Sequence, residues 1–281
     1  MLALSKINIE DSINSGQVFL WKKEEKSWYG INGCDVLSVK ESTLKITSFS
    51  KKPFDIFRED DNFNQILKSI TKDKVVKSAV KRFPGLRLLR QDPFQCYITF
   101  ILSSNSSIQK IQHMLILLCK KFGTKINFEN NEFFLFPEPK KLALANKNDL
   151  LACGLGYRAK SVKKASDAVI SGKIDFEFLK KEDYQTAKES LIKIYGIGHK
   201  VADCILLFSL EKLEAFPLDR WMLRILQKYY FEKFQMSGKT LTEKRYENLH
   251  NDIVEYFGPY AGYSQQFLFK MERDLNHKKW L

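Results

Sequence analysis

The chain has 281 residues, 44% of them hydrophobic, and its 46 lysines and arginines against 33 aspartates and glutamates give a formal net charge of +13. That size and apolar content suffice for a packed globular core and argue against an intrinsically disordered chain. The positive charge favours a polyanionic partner, nucleic acid first, although a general lysine bias in the genome would raise the charge without implying any partner.

The cysteines favour a reducing compartment. No two of them form a C-x-x-C pair, their number is odd, and none cluster near the C-terminus, so we expect no disulfide framework, iron–sulfur centre or zinc site. We also expect no membrane partner and no secretion, because no apolar stretch approaches the ~18 residues of a membrane span and MLALSKINIED lacks a signal-peptide pattern. The expected location is the cytoplasm or nucleoid of a prokaryote, or the nucleus of a eukaryote. The cysteines are Cys34, Cys96, Cys119, Cys153 and Cys204.

Between Gln17 and Phe49, apolar residues tend to alternate with polar ones. The alternating runs are VFLW, SWYGI, DVLSV and TLKITSF, and the polar segments KEEK, NG and KES separate them. A period of two is typical of strands with one buried face, and Asn32-Gly33 is a hairpin-turn signal. This part of the chain therefore predicts an antiparallel sheet.

After Pro53 the apolar spacing changes to three and four residues, first in DIFREDDNFNQILKSI and later in IQKIQHMLILLCKKF and ENLHNDIVEYF. This spacing is typical of helices and continues mostly to the end of the chain. The break falls near Pro84-Gly85, without a low-complexity linker or an internal repeat. We predict a β-rich domain with trailing helices over residues 1–85 and an α-helical domain over residues 86–281.

The most informative segment is LIKIYGIGHKVADCILLFSLEKLEAFPLD at 191–219. It predicts two helices joined by a Gly-x-Gly turn, a helix-hairpin-helix at about 184–210, whose Gly196 and Gly198 let backbone amides approach an anion at the start of the second helix. Lys200 opens that helix, and Asp219 follows 19 residues later. The simpler interpretation is a DNA-binding module in which Asp219 only caps a helix over 220–229.

With these elements in place, the chain resembles the helix-hairpin-helix DNA glycosylases of the 8-oxoguanine type. The resemblance implies an α+β fold, in which an N-terminal antiparallel β-sheet domain joins a mainly α-helical domain with the helix-hairpin-helix motif. It also implies an enzyme that flips a damaged base out of duplex DNA, cuts its glycosidic bond and nicks the backbone. The resemblance rests on SGQVFLW at 15–21, LRLLRQDPFQCYITFILSSNSSIQKI at 86–111, GLGYRAK at 154–160, the hairpin, and GPYAGYSQQFLF at 258–269.

For the reaction, the resemblance implies that Lys200 is the nucleophile. Its neutral amine attacks the sugar carbon and leaves a Schiff base, through which β-elimination breaks the strand. Asp219 then stabilises the cationic sugar and positions or deprotonates the amine. This chemistry needs no redox cofactor and no catalytic metal, although a cation held by hairpin carbonyls would leave no trace in the side chains.

For the base pocket, the resemblance implies that Cys204 and Phe269 lie on either face of the base and that Gln265 reads its Watson–Crick edge. Gly16 supplies a carbonyl toward N7, which carries a hydrogen in 8-oxoguanine and is a bare acceptor in guanine. Phe208 departs from the family, because it replaces a pocket methionine. Read without the family, Cys204 and Gln265 are core residues, and Ser15-Gly16 is a turn before a strand.

For the opposite strand, the resemblance implies a wedge at Tyr157 and a grip on the orphan base by Asn105, Lys110 and Arg158. Lys110 departs from the family, because a lysine replaces an arginine and cannot make its planar fork contact, which leaves the opposite-base preference open. The simpler interpretation of Tyr157 is core packing.

We predict contacts to DNA phosphate from Gly196, Gly198, His199 and Trp221, the last at a position where eukaryotic relatives have a histidine. The expected partner is double-stranded DNA that contains oxidised guanine, bound by a monomer.

The sequence leaves two other functions open. One is a glycosylase of the same superfamily that acts on oxidised pyrimidines or mispaired adenine, although such enzymes usually carry four clustered cysteines and lack the N-terminal sheet. The other is a non-enzymatic DNA-binding protein whose hairpin only grips phosphate. That alternative leaves the combination of Lys200 and Asp219 unexplained.

Overall fold

The computed structural model describes residues 7–52, 54–234 and 242–276. Residues 1–6 of the N-terminal segment and Pro53, where the sequence pattern changes, lie outside the described residues. Within them, no helix is long and apolar enough to cross a membrane.

The chain begins with a short helix, α1 (Ile9–Ile13), followed by a four-stranded antiparallel sheet in the order β1-β2-β3-β4. The predicted sheet is confirmed, and its alternation holds: Trp28 and Leu37 face one small core, whereas Tyr29 and Val36 face another. The hairpin turn lies one residue further on than predicted, because Asn32 pairs with Asp35 and the two turn residues are Gly33 and Cys34. The strands are β1 (Trp21–Glu24), β2 (Ser27–Asn32), β3 (Asp35–Lys40) and β4 (Ile46–Ser48).

The helical pattern expected directly after Pro53 begins later than predicted. Residues 54–61 form turns, with Arg58 at φ +54°, and the helix starts only at Phe63. The reason is a cap: the Asn62 side chain accepts a hydrogen bond from the Gln65 backbone N–H and fixes the helix start there. The first helices after the sheet are α2 (Phe63–Ile70), α3 (Lys74–Arg82), α4 (Pro93–Leu102) and α5 (Ile108–Phe122).

A two-stranded antiparallel hairpin, β5 (Lys125–Phe128) and β6 (Asn131–Phe134), interrupts the helical part and was missed by the sequence pattern. Phe133 of this hairpin packs against Tyr29 and Val36 on one face of the first sheet. The helices that follow are α6 (Pro139–Leu144), α7 (Lys147–Ala152), α8 (Arg158–Ile170) and α9 (Phe176–Lys181).

The predicted helix-hairpin-helix is present as α10 (Tyr184–Ile192) and α11 (His199–Ser209). Helix α11 is central to the fold, because every residue from Val201 to Ser209 is buried. A segment without helix or strand leads from it to α12 (Arg220–Tyr229), which Asp219 caps as the sequence predicted. The last helices are α13 (Glu243–Phe257) and α14 (Ala261–Leu275). The domain boundary near residue 85 stays a prediction.

Candidate active site

The hairpin turn presents the start of α11 to solvent. Gly196 has φ +89°, and a Cβ there would collide with the Ser161 side chain, so both backbone geometry and packing require glycine. Gly198 is the N-cap residue of α11 and forms no side-chain cap, which leaves first-turn N–H groups available to an anion. His199 follows half-buried, with its ring centroid 5.3 Å from that of Tyr246.

Lys200, the second residue of α11, points toward the end of α4. Its Nζ donates a hydrogen bond to Ser103 Oγ at 3.0 Å and lies 5.5 Å from the centroid of the Phe100 ring. The predictions missed Ser103 and Phe100 as site residues. Their only signal was a place in the quoted segment 86–111, because a contact across 97 residues has no local pattern.

The Asp219 side chain both caps a helix and borders the cavity. Its Oδ1 accepts a hydrogen bond from the Met222 backbone N–H at 2.8 Å, so it caps α12, and its side chain also borders the cavity that Lys200 borders. The capping interpretation and the site interpretation are therefore compatible. A carboxylate fixed by its own helix start is held in one orientation, which suits an electrostatic function.

A cavity of about 300 Å³ is lined by residues of α4, α5, α11, α12 and α14. It brings together eight of the residues predicted from the sequence: Gly16, Lys200, Cys204, Phe208, Asp219, Trp221, Gln265 and Phe269. The residues predicted for the opposite strand, and the hairpin residues before Lys200, do not border it.

The apolar walls of the cavity are built from stacked rings and a buried thiol. Phe208 stacks on Phe100 at 5.3 Å between ring centroids, and Trp221 meets Phe269 edge-on at 6.4 Å. Burial raises the pKa of Cys204 to about 12, although the nearby Lys200 opposes the shift. The thiol is therefore protonated at neutral pH and acts as an apolar wall rather than a nucleophile.

Among the residues that the structure describes, two buried polar atoms of cavity-lining side chains have no hydrogen-bond partner: Gln265 Oε1 and Arg273 Nη1. Buried polar groups are nearly always paired, so an unpaired acceptor and donor beside one cavity are available to a polar ligand. The sequence analysis predicted Gln265 and missed Arg273, which lies four residues after Phe269 and hence on the same helix face.

The turn that carries Gly16 is clamped by α14. The backbone carbonyls of residues 14 and 15 accept hydrogen bonds from Arg273 Nη2 at 2.7 Å and Gln266 Nε2 at 3.0 Å. Gly16 has φ +89°, and a Cβ there would lie 2.9 Å from Arg273 Nη1 and 3.1 Å from Phe269 Cε1. Only glycine fits this position without displacing the cavity wall.

The four residues predicted for the opposite strand form a second group around the loop between α4 and α5. Tyr157 is 66% exposed, which excludes the core-packing interpretation, and its hydroxyl donates to the Ser104 carbonyl at 3.2 Å. Arg158 is only 4% exposed, and its guanidinium binds the carbonyls of Ser104 and Asn105. Asn105, at φ +50°, and Lys110 are exposed on the same loop and the following helix.

No group of three or more histidine, cysteine, aspartate or glutamate side chains is placed to hold a metal ion within the described ranges.

Two family profiles match consecutive parts of the chain. Residues 1–97 match the N-terminal domain of 8-oxoguanine DNA glycosylase, and residues 98–251 match the HhH-GPD superfamily of base excision DNA repair proteins.

Curated relatives and solved structures agree with these matches. The "Probable N-glycosylase/DNA lyase" of Methanothermobacter thermautotrophicus is 30% identical over 244 residues, covering 78% of this chain and 72% of the relative. The N-glycosylase/DNA lyase OGG1 of Arabidopsis thaliana is 28% identical and covers 96% of this chain and 79% of its own length.

Among solved structures, the 8-oxoguanine glycosylase/lyase of Clostridium acetobutylicum, bound to double-stranded DNA with cytosine opposite 8-oxoG, is similar at a TM-score of 0.86 with 28% identity, covering 96% of this chain and 93% of that one. A structure of MBOgg1 with a low-affinity DNA ligand has the same TM-score at 29% identity, covering 98% and 94% of the two chains. A 3-methyladenine DNA glycosylase of Archaeoglobus fulgidus, 19% identical with a TM-score of 0.70, shares the fold.

Proposed function

This chain belongs to the HhH-GPD superfamily of base excision DNA repair proteins and carries the N-terminal domain of 8-oxoguanine DNA glycosylases, and on that basis we propose that it excises 8-oxoguanine from duplex DNA and nicks the abasic strand. The observation that carries the proposal is the single cavity that Lys200, Asp219 and Gln265 share. It offers an amine, a carboxylate and an unpaired acceptor to one ligand.

The damaged nucleotide must leave the base stack before its sugar can reach Lys200, at a cost of a few kcal/mol. Tyr157 suits the position of a wedge, because its exposed ring stands at the start of α8 and is held by Ser104. Exposed apolar surface of this kind gains contacts when it fills the gap that the flipped base leaves.

In the proposed reaction, the neutral amine of Lys200 attacks the anomeric carbon as the glycosidic bond breaks, and the base leaves with the bonding electron pair and then takes up a proton. Asp219 stabilises the positive charge that develops on the sugar. The Lys200 nitrogen then loses a proton, and the C1′–O4′ bond breaks to give a Schiff base on Lys200 as O4′ takes up a proton. Loss of a proton from C2′ expels the 3′ phosphate by β-elimination and breaks the strand.

Recognition of the base is proposed to use both faces and both edges. Cys204 and Phe269 border the cavity as apolar walls, and the unpaired Gln265 Oε1 is free to accept from the Watson–Crick edge. We propose that the Gly16 carbonyl approaches N7, because Gly16 borders the cavity and has no room for a side chain. An acceptor at that point favours the N7–H of 8-oxoguanine and repels the lone pair of guanine.

Outside the cavity, we propose that Asn105, Lys110 and Arg158 contact the orphan base, and that Arg158 also holds the loop of Asn105 through its bonds to the Ser104 and Asn105 carbonyls. The phosphate contacts are proposed for the exposed N–H groups at the start of α11 and for His199. Trp221, which was also predicted to contact phosphate, borders the base cavity. We propose that one copy of the chain binds the duplex.

The test is Lys200→Gln with Lys173→Gln as its control, an exposed lysine in the turn after α8. Both variants receive duplexes with 8-oxoguanine opposite each normal base, and undamaged guanine and an oxidised pyrimidine as controls, with borohydride to trap a Schiff base. We expect wild type and Lys173→Gln to form a covalent adduct with the 8-oxoguanine duplexes, and Lys200→Gln to bind DNA without forming it.

The alternatives predict other outcomes. If wild type and Lys200→Gln bind DNA equally well and wild type releases no base, the protein is a non-enzymatic DNA-binding protein. Release confined to the oxidised pyrimidine favours the second glycosylase class, and release by Lys200→Gln at the wild-type rate refutes the lysine mechanism.

A further inference from the structure

Three residues after Lys200, α11 carries a carboxylate that the proposed reaction does not use. Asp203 is fully buried, and both of its oxygens accept short hydrogen bonds, from Tyr184 Oη to Oδ1 and from Tyr246 Oη to Oδ2, each at 2.6 Å. Lys188 Nζ lies 3.1 Å from Oδ1 and neutralises the charge. A buried charge persists only with such partners, so this network is a fixed part of the structure.

The same network reaches the segment that ends at Asp219. Tyr246 Oη accepts a hydrogen bond from the Leu218 backbone N–H at 3.0 Å, and His250 Nε2 accepts one from the Phe216 backbone N–H at 3.3 Å. Both N–H groups are buried and belong to residues outside any helix or strand. Side chains of α13 therefore supply the hydrogen bonds that regular structure would otherwise supply.

Leu218 directly precedes Asp219, so the orientation of the Leu218 backbone helps to set the position of the Asp219 carboxylate. The chain of contacts runs from Asp203 through the Tyr246 hydroxyl to the Leu218 N–H, and it joins the helix of Lys200 to the residue before Asp219. Misplacement of a reacting group by about 1 Å can cost on the order of a hundredfold in rate.

We propose that Tyr246, held by Asp203, is a positioning residue for Asp219. It keeps the Asp219 carboxylate at a fixed position relative to the Lys200 amine. The inference rests on the proposed function, because it assigns Asp219 the stabilisation of the cationic sugar. Tyr246 itself touches neither the cavity nor the reacting atoms.

Tyr246→Phe and Tyr184→Phe form a matched pair. Each removes one hydroxyl donor from Asp203, but only Tyr246 also holds the Leu218 N–H. Tyr184 Oη also accepts a hydrogen bond from Lys188 Nζ at 2.7 Å, so loss of the Tyr184 hydroxyl should disturb the network at least as much. The two variants are compared in thermal unfolding, in single-turnover release of 8-oxoguanine, and in borohydride trapping on a duplex with a preformed abasic site.

We expect Tyr246→Phe to release the base at least about tenfold more slowly than Tyr184→Phe, while the two trap the abasic site at rates within about threefold of each other. The difference arises because an abasic site has no glycosidic bond to break. A general loss of stability would slow both reactions together. Equal base release by the two variants, or an equal loss in both reactions, overturns the proposal.

Asp219→Asn separates this proposal from the function on which it rests. If Asp219→Asn releases the base at the wild-type rate, the assigned function of Asp219 fails. If Asp219→Asn is slow but the two tyrosine variants are equal, only the positioning proposal fails. Should Tyr246→Phe not fold, amide hydrogen exchange of the wild type replaces it: a Leu218 amide that exchanges faster than that of Met222, which Asp219 caps, also overturns the proposal.

Discussion

Gly16→Ala tests whether the tight turn beside the cavity selects the base. Gly16 has φ +89°, and the new Cβ would lie 2.9 Å from Arg273 Nη1 and 3.1 Å from Phe269 Cε1. Gly172→Ala is the matched control, because Gly172 has φ +72°, is exposed, and has no heavy atom within 4 Å of the position of a Cβ. The two substitutions share the backbone strain and differ in the collision with the cavity wall.

The magnitude follows from these contacts. The positive φ costs an alanine about 1–2 kcal/mol in either position. At Gly16, overpacking adds about 1–3 kcal/mol, and Arg273 cannot retreat without loss of its hydrogen bond to the Asn14 carbonyl. If the added strain falls on the bound base, base release slows by about five- to a hundredfold.

The assay compares single-turnover release of 8-oxoguanine with trapping on a preformed abasic site. Gly16→Ala should release the base more slowly than wild type but trap the abasic site at the wild-type rate, because an abasic site places no base against Gly16. Gly172→Ala should keep both within about threefold of wild type, since exposed positions away from a site affect stability more than chemistry. Wild-type base release by Gly16→Ala, or an equal loss of trapping, would refute the reasoning.

Further predictions concern the wedge, the opposite strand and a buried histidine. Tyr157→Ala should slow base release about tenfold or more, because unstacking is no longer compensated. Its melting temperature should shift no more than that of Phe178→Ala, since Phe178 is a 53% exposed residue on α9. Equal rates of base release by these two variants would rule out the wedge. Lys110→Arg should raise the ratio of release opposite cytosine to release opposite adenine by up to about tenfold, because arginine can bind a base edge with two parallel hydrogen bonds; an unchanged ratio removes Lys110 from the opposite-base site. Burial, with a smaller contribution from Lys188, lowers the pKa of His250 to about 4, while Asp203 opposes the shift. Because the unfolded chain binds this proton more readily, the neutral histidine contributes stability that is complete above about pH 6.5 and is lost as the pH falls through about 4, some 3 kcal/mol in all. His250→Gln should flatten that part of the curve of unfolding free energy against pH, and an unchanged slope would contradict the assignment.

Local patterns predicted the elements whose causes are local. The alternation between Gln17 and Phe49 predicted the four-stranded sheet, because side chains on opposite faces of a strand meet different surroundings. The Gly-x-Gly turn and the cap at Asp219 predicted α10, α11 and the start of α12, because turn geometry and capping depend on a few neighbouring residues.

The errors also have local causes. The hairpin of β5 and β6 turns at Glu129 and Asn130, with φ values of +46° and +63°. Such a turn is usually marked by Asn-Gly or Asp-Gly, and glutamate at its first position hides it among helical patterns. The late start of α2 came from the Asn62 cap, which the apolar spacing of DIFREDD obscured.

The sequence by itself therefore determined the antiparallel sheet, the helix-hairpin-helix and the helix cap at Asp219, since periodicity, glycine turns and caps act over a few residues. Only the tertiary structure placed Ser103 against Lys200, Arg273 beside Gly16, and the Tyr246 hydroxyl between Asp203 and Leu218. These contacts join residues that are 97, 257, 43 and 28 positions apart, as the numbering shows. Which distant side chains meet is decided by how whole helices pack, and no spacing within one segment records that packing.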